Sequence, residues 1–209
     1  MVEIIRNADD DQVAAWLHHR LAAAEQAAPA DARVSLCLPG GSTPRPVLQA
    51  LAGMPLDWSR VAIWPGDDRC VPVDHPASNA GMIAAALGKV GADIVPLAED
   101  AVPPRFALTW LGMGDDGHVA SLFPETDPQA DDPQAIRRIT PDPLPPHAPF
   151  DRITLTLPAL LATGEVLFVI RGEQKLALFE AAVAGEIDLP VARLLRSAEA
   201  QGIPVTCFA

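Results

Sequence analysis

Leu111-Gly112-Met113-Gly114-Asp115-Asp116-Gly117-His118-Val119-Ala120-Ser121-Leu122-Phe123-Pro124 is the stretch whose reading decides the fold. An apolar run, Phe106 to Leu111, drives straight into it. Three glycines then alternate with two carboxylates and end on a histidine. A buried strand that stops in a glycine-rich turn and delivers titratable groups is how open α/β sheets build sites at their carboxyl edges.

The segments on either side repeat that plan. Val34 to Leu38 is a short apolar strand ending in Pro39-Gly40-Gly41-Ser42-Thr43-Pro44, and a helix with Val47, Leu48 and Leu51 on one face follows. Trp58 to Trp64 reads as a second strand, running into Pro65-Gly66-Asp67-Asp68-Arg69-Cys70-Val71-Pro72. Asn79 to Leu87 is a predicted helix and Ile94 to Leu97 a short strand. Downstream, Ile153 to Leu157 and Val166 to Ile170 are strands, and Pro158 to Leu161 starts a short helix. A helix to about Ala184 presents Leu176, Phe179, Ala182 and Val183 on one face. Pro190 to Leu195 opens a last helix and Val205 to Phe208 a closing strand. Near the start, Asp9 and Asp10 introduce a helix carrying Val13, Leu17 and Leu21, which Pro29 closes. Residues 125–149, polar, acidic and proline-rich, read as a long surface loop. Strands alternating with helices through short loops predict an α/β fold with a largely parallel sheet. With 209 residues, 49% of them hydrophobic, the chain is expected to form a single domain over 1–209.

Charge and cysteine content narrow the function classes. A formal net charge of −12 argues against nucleic acid and anionic membrane as partners, since both need a positive face. A small anionic ligand needs only a few local donors. Lysine occurs only at Lys89 and Lys175, so any lysine in a site is one of these. Cys37, Cys70 and Cys207 have no metal-type spacing, and an odd count fits reduced thiols in a cytosol. Met1 to Asp11 lacks the apolar stretch of a signal sequence, and no apolar run approaches transmembrane length. The expected location is the cytoplasm.

Each loop has a plain reading and a functional one. Pro39–Pro44 is either a tight turn with a Ser/Thr cap or a phosphate cradle. In the second case Gly40 and Gly41 let backbone N–H groups approach, Ser42 and Thr43 add hydroxyls, and the helix N-terminus adds positive charge. It matches neither a P-loop nor a dinucleotide fingerprint. Arg69 either pairs with a neighbouring acid or clamps an anion, with Asp67 orienting Arg69 or a substrate hydroxyl. Lys175 is either a solvated residue or an anion ligand at a helix start, where cations are otherwise disfavoured. His118 fits a general base working near neutral pH, its tautomer fixed by Asp115 or Asp116. The other histidines, on the first helix (His18, His19) and in proline-flanked loops (His75, His147), supply no metal set, so no metal is expected. No G-x-S-x-G elbow is present, which argues against a Ser-His-Asp hydrolase.

Taken in order, these segments resemble the 6-phosphogluconolactonase family, within a broader group that includes glucosamine-6-phosphate deaminases and ribose-5-phosphate isomerases. The match rests on Pro39 to Pro44, Trp64 with Gly66 to Pro72, His75-Pro76 through Ser78-Asn79 and Gly81-Met82, and Leu111 to His118 with Ala120 to Pro124. Arg152 to Thr156 and Gly172 with Lys175 continue it, and Leu189-Pro190-Val191-Ala192 matches weakly. The resemblance implies a Rossmann-like three-layer α/β/α sandwich that hydrolyses 6-phospho-D-glucono-1,5-lactone to 6-phosphogluconate in the oxidative pentose phosphate pathway. It implies no metal or organic cofactor, a phosphorylated sugar lactone as the small-molecule partner, and a monomer or homodimer. It puts the base on His118 and phosphate ligands on Arg69 and Lys175, and the reading of the residues adds Asp116 and Asp67 as supporting catalytic groups. Substrate binding falls on Gly40, Gly41, Ser42, Thr43, Arg69, Gly114 and Lys175.

Three departures stand out. Asp68 and Asp115 occupy positions where the family usually has Glu. Leu161 lies near an expected Asn. The segment between Leu97 and Phe106 is too short and proline-rich for the additional helix that relatives usually carry. In the implied mechanism His118 takes a proton from water as it attacks C1. Backbone N–H groups of Gly40–Gly41 or of the Gly114–Gly117 turn meet the oxyanion. The nearest rival is a glucosamine-6-phosphate deaminase or sugar-phosphate isomerase, in which a glutamate precedes the proline where this chain has Phe123. A non-catalytic sugar-phosphate-binding module is the rival from another class.

Overall fold

The computed structural model describes residues 1–142, 144 and 148–209. Its strands are β1 (Val2–Ile5), β2 (Val34–Leu38), β3 (Val61–Pro65), β4 (Asp67–Arg69), β5 (Asp93–Ile94), β6 (Leu108–Leu111), β7 (Ile136–Ile139), β8 (Arg152–Leu155), β9 (Val166–Val169) and β10 (Val205–Phe208). Its helices are α1 (Asp10–Ala27), α2 (Pro44–Ala52), α3 (Asn79–Leu87), α4 (Leu157–Leu161), α5 (Glu173–Val183) and α6 (Pro190–Ala200). Seven strands form one sheet in the order β1-β10-β9-β6-β2-β3-β5, and every pairing in it is parallel. A smaller antiparallel sheet runs β4-β8-β7.

Period-two alternation divides the core into two layers, one on each face of the large sheet. Leu36, Leu38, Ile63, Trp110, Leu167 and Val169 face α1, α2 and α3. Cys37, Trp64, Leu111, Phe168 and Cys207 face α4, α5 and α6. The three-layer α/β/α sandwich follows from strands that are apolar on both sides. The start of α1 is set by Asp9, whose carboxylate accepts from Gln12 N at 2.8 Å while the Gln12 side chain accepts from Asp9 N at 3.0 Å.

Strand order explains where a site can form. From β2 the chain moves through α2 to β3 and then outward to β5; from β6 it moves the other way, to β9 and β10, with the N-terminal β1 at the edge beyond them. Adjacent strands β2 and β6 therefore send their following segments in opposite directions. Their carboxyl ends open a crevice of the kind that binds ligands in open α/β sheets.

Several local expectations are corrected. The acidic 125–149 stretch is not loop throughout, because Ile136–Ile139 forms β7 against β8. Pro143, Pro145, Pro146 and His147 of that stretch lie outside the described residues. Val2–Ile5 is an edge strand that the polar start concealed. Trp58–Arg60 is a short 3-10 turn ahead of β3, and Val183 points away from the core at 40% exposure. Leu161 is buried in the α4–α6 layer, so the missing Asn is replaced by core packing. The short segment 95–107 crosses from β5 to β6 without a helix. Val95, Leu97 and Ala101 pack on the α4–α6 layer in its place.

Candidate active site

Four strand ends deliver the candidate groups. At the end of β2, Gly40 has no room for a side chain, since a Cβ there would lie 1.8 Å from Asn79 Oδ1. Gly41 turns the chain at φ +100°, a region open to glycine. The helix α2 begins with Pro44, and Thr43 makes no capping hydrogen bond to it. A Ser/Thr cap would have satisfied its first N–H groups; without one, the N-terminus of α2 is open toward the crevice.

The second loop is organised by a strand the sequence did not disclose. Gly66 bridges the two sheets, donating to Leu38 O at 2.9 Å and accepting from Leu155 N at 2.9 Å. The chain then pairs as β4 with β8, in the register Asp67↔Thr154 and Arg69↔Arg152. Alternation sends Asp67 and Arg69 to one face and Asp68 to the other. Asp68, almost fully buried, collects the N–H groups of Asn79 (2.6 Å), Arg69 (2.8 Å) and Ala80 (2.9 Å) and the Ser78 hydroxyl (3.1 Å). It therefore acts as an anion at the N-terminus of α3.

That anchoring places Asn79, which the sequence suggested only as a helix start. Its Nδ2 donates to Asp67 O at 2.8 Å and Asp67 Oδ1 at 3.1 Å, while its Oδ1 accepts from Arg69 Nη1 at 3.3 Å. Arg69 Nη1 also donates to Ala77 O at 2.8 Å, and its buried Nε has no partner among the described residues. Asp67 accepts from Ser121 Oγ as well. Burial pushes the Asp67 carboxyl above the usual carboxylate range, against the pull of the Ser121 hydrogen bond and the charges of Arg69, His118 and Arg152.

The opening stretch forms a closed turn after β6. Gly114 N donates to His118 O at 3.0 Å and Gly117 N to Gly114 O at 3.1 Å. Gly117 has φ +77°, and a Cβ there would come within 2.8 Å of Leu189 Cδ1. Its carbonyl accepts from Val191 N at 3.0 Å, so the start of α6 clasps the turn from behind.

Within the turn, His118 Nδ1 lies 2.6 Å from Asp116 Oδ1, which also accepts from His118 N at 3.1 Å. An ionised carboxylate only accepts, which places a proton on Nδ1 and leaves Nε2 with the lone pair. Desolvation raises the Asp116 carboxyl, but the His118 contacts outweigh it and hold it below its ordinary value. Phe123 packs on the imidazole with ring centroids 4.7 Å apart. Of the two aspartates, Asp116 meets the histidine, and Asp115 lies 3.4 Å from Lys175 Nζ. Lys175, in the first turn of α5, donates to Met113 O at 3.0 Å and so arches over the β6 turn.

A cavity of about 430 Å³ joins these pieces, within the range of small-molecule sites. Gly40, Gly41, Ser42, Thr43, Asp67, Arg69, Gly114, His118 and Lys175 all line it, and Asp116 stands behind His118. Asn79, Ser121 and the Leu189–Val191 clasp, quoted above only as residues of the resemblance, take roles here that no single segment signalled. A clue to the first was an Asn directly after the Ser78 cap, where a side chain at the helix start can reach the neighbouring loop. Among the described residues no group of three or more His, Cys, Asp or Glu is arranged to hold a metal. None of the described helices is long and apolar enough to cross a membrane.

Comparison with known proteins bears on the family and the fold. The sequence profile of the family described as glucosamine-6-phosphate isomerases/6-phosphogluconolactonase matches residues 8–103 and 92–202. A Pseudomonas putida protein named 6-phosphogluconolactonase is 35% identical over 219 residues, covering 93% of this chain and 89% of its own. A protein of the same name from Pseudomonas aeruginosa is 39% identical over 186 residues, covering 78% of this chain and 77% of its own. The crystal structure of a 6-phosphogluconolactonase from Shewanella baltica superposes with a TM-score of 0.82 at 29% identity, covering 100% of this chain and 97% of the other. The chain belongs to the glucosamine-6-phosphate isomerase/6-phosphogluconolactonase family.

Proposed function

We propose that this chain hydrolyses 6-phospho-D-glucono-1,5-lactone to 6-phosphogluconate, in the oxidative pentose phosphate pathway; relatives named 6-phosphogluconolactonase support the reaction. The observation that carries the reading is the His118–Asp116 couple in the wall of a cavity that also holds Arg69, Lys175 and the uncapped start of α2. His118 takes a proton from water as the water oxygen bonds to C1. The carbonyl becomes a tetrahedral oxyanion, the C1–ring-oxygen bond breaks, and His118 returns the proton to the departing oxygen. The N–H groups of Gly114 and Gly117 are spent inside their own turn, which leaves those of Gly40 and Gly41, or of Asp115 and Asp116 in the turn, to meet the oxyanion. Arg69, Lys175, Ser42 and Thr43 hold the phosphate, and Asp67 accepts from a ring hydroxyl.

The decisive assay follows lactone disappearance directly, corrected for spontaneous ring opening. The wild type accelerates it, and His118→Ala lowers kcat by roughly 10²- to 10⁴-fold with little change in KM. Wild-type turnover by that variant refutes the assignment. A deaminase or isomerase on this fold lacks an acid here, because Phe123 is buried against His118. Ammonia release from glucosamine 6-phosphate would overturn the lactonase reading, and so would tight 6-phosphogluconate binding without lactone turnover. The proposed protein is a single domain over 1–209, cytoplasmic, and a monomer or homodimer.

A further inference from the structure

We propose that Arg171 is a third phosphate-binding cation of this site, held on Asp10 until the phosphorylated substrate arrives. The inference deepens the lactonase reading and rests on it for the identity of the phosphate.

Three cationic side chains line the cavity: Arg69, Lys175 and Arg171. The first two belong to the motifs that carry the family resemblance, whereas Arg171 stands just before Gly172, inside the matched span 92–202 but not among those motif residues. It follows the end of β9, and Gly172, with φ +97°, turns the chain from it into α5. Arg171 therefore precedes the first turn of α5 and Lys175 lies within it, both where the helix dipole disfavours positive charge. Neither placement helps the helix. Both are accounted for by a doubly charged anion between them.

The present partner of Arg171 is a weak one. Its Nη2 donates to Asp10 Oδ1 at 2.9 Å, and the two side chains are 36% and 40% exposed. Ion pairs this open to water contribute little to stability. The contact uses one of five N–H donors, so the guanidinium fork remains suited to phosphate. Asp10 sits in the first turn of α1, where the dipole stabilises its charge without Arg171. Exchanging Asp10 for a phosphate dianion in the half-enclosed cavity thus costs little and gains charge-assisted hydrogen bonds. A chain carrying −12 overall has reason to gather cations here, because its long-range field repels the substrate.

The alternative is that Arg171 and Asp10 only tether α1 to the β9–α5 turn, and the experiment separates the two. Kinetics are measured for wild type, Arg171→Met, Arg171→Lys and Asp10→Asn, on the phosphorylated lactone and on unphosphorylated glucono-1,5-lactone. Arg171→Met is expected to raise KM for the phosphorylated lactone roughly 5- to 10-fold at unchanged kcat, with Arg171→Lys in between. Inorganic phosphate should weaken as a competitive inhibitor by a similar factor. Turnover of the unphosphorylated lactone should not change, and Asp10→Asn should not raise KM. An unchanged KM in Arg171→Met, an equal loss on the unphosphorylated lactone, or the same rise in Asp10→Asn each overturns the proposal. If the wild type hydrolyses neither lactone, the functional reading fails. Calorimetric titration with inorganic phosphate then tests Arg171 separately: binding lost in Arg171→Met supports its role, and equal or absent binding refutes it.

Discussion

Alanine at Gly114 would put a methyl carbon 2.1 Å from His118 Nδ1, 2.2 Å from Cε1 and 2.7 Å from Asp116 Oδ1. Gly114 is not among the glycines with positive φ, so the backbone accepts alanine and the effect acts through the His118–Asp116 pair. Ordinary contact begins near 3.4 Å, so the ring must retreat by about 1.3 Å, the difference from 2.1 Å. Displacement of a catalytic group by about 1 Å costs roughly 10²-fold in rate. Losing a general base outright costs roughly 10²- to 10⁴-fold, which sets the ceiling. The expected fall in kcat is therefore about 10²-fold, or about 2.7 kcal/mol of barrier. KM should stay within a few-fold, because Arg69 and Lys175 are not displaced. Gly112→Ala is the control: its Cβ would meet only Pro39 Cβ, at 3.8 Å, and near-wild-type activity is expected. The double variant Gly114→Ala/His118→Ala should be no slower than His118→Ala, since both remove one function. Wild-type kcat in Gly114→Ala, or an equal loss in Gly112→Ala, would refute the reasoning.

Two further outcomes concern the paired aspartates of β4. Asp68→Ala strips the acceptor from three backbone N–H groups, and at about 1–3 kcal/mol for each orphaned group it should destabilise the fold by at least about 3 kcal/mol. Urea unfolding reads this directly, and a loss below about 1 kcal/mol would show that water replaces the carboxylate. Asp67→Asn should lower activity yet raise Tm at neutral pH. The native Asp67 carboxyl titrates above its unfolded value, so the folded state bears the cost of ionising it at higher pH. The gain in Tm should shrink as pH falls through the raised native pKa, and a gain that grows on acidification contradicts the sign.

The parallel sheet was legible because strands buried on both faces read as unbroken apolar runs, as in Val61–Pro65 and Val166–Val169. The same rule hid β1, β4 and β7. The first two residues of β4 are aspartates, β7 has arginines at its centre, and β1 is a partly exposed edge strand with Glu3 in it. Each is a strand because of its partner rather than its own composition. The site follows the same division. His118, Arg69 and Lys175 were visible because chemistry-bearing residues at strand ends stand out locally. Local sequence could not decide between Asp115 and Asp116, which differ only in how the turn closes. The bridging role of Asn79 depends on Asp68 fixing α3 beside Gly40, a relation among three separate segments.

The helix-free crossing from β5 to β6 has a consequence for engineering. The span 95–107 is held at its ends by Val95 N on Ile63 O and Phe106 N on Ala162 O, at 2.8 Å each. Between them Val102 stands 86% exposed. The cavity draws no lining residue from this span. Extra sequence inserted at Val102 therefore adds only the slowly growing entropy of a longer loop. A reporter domain or affinity tag can be grafted there with β5 and β6 still in register and the candidate crevice untouched.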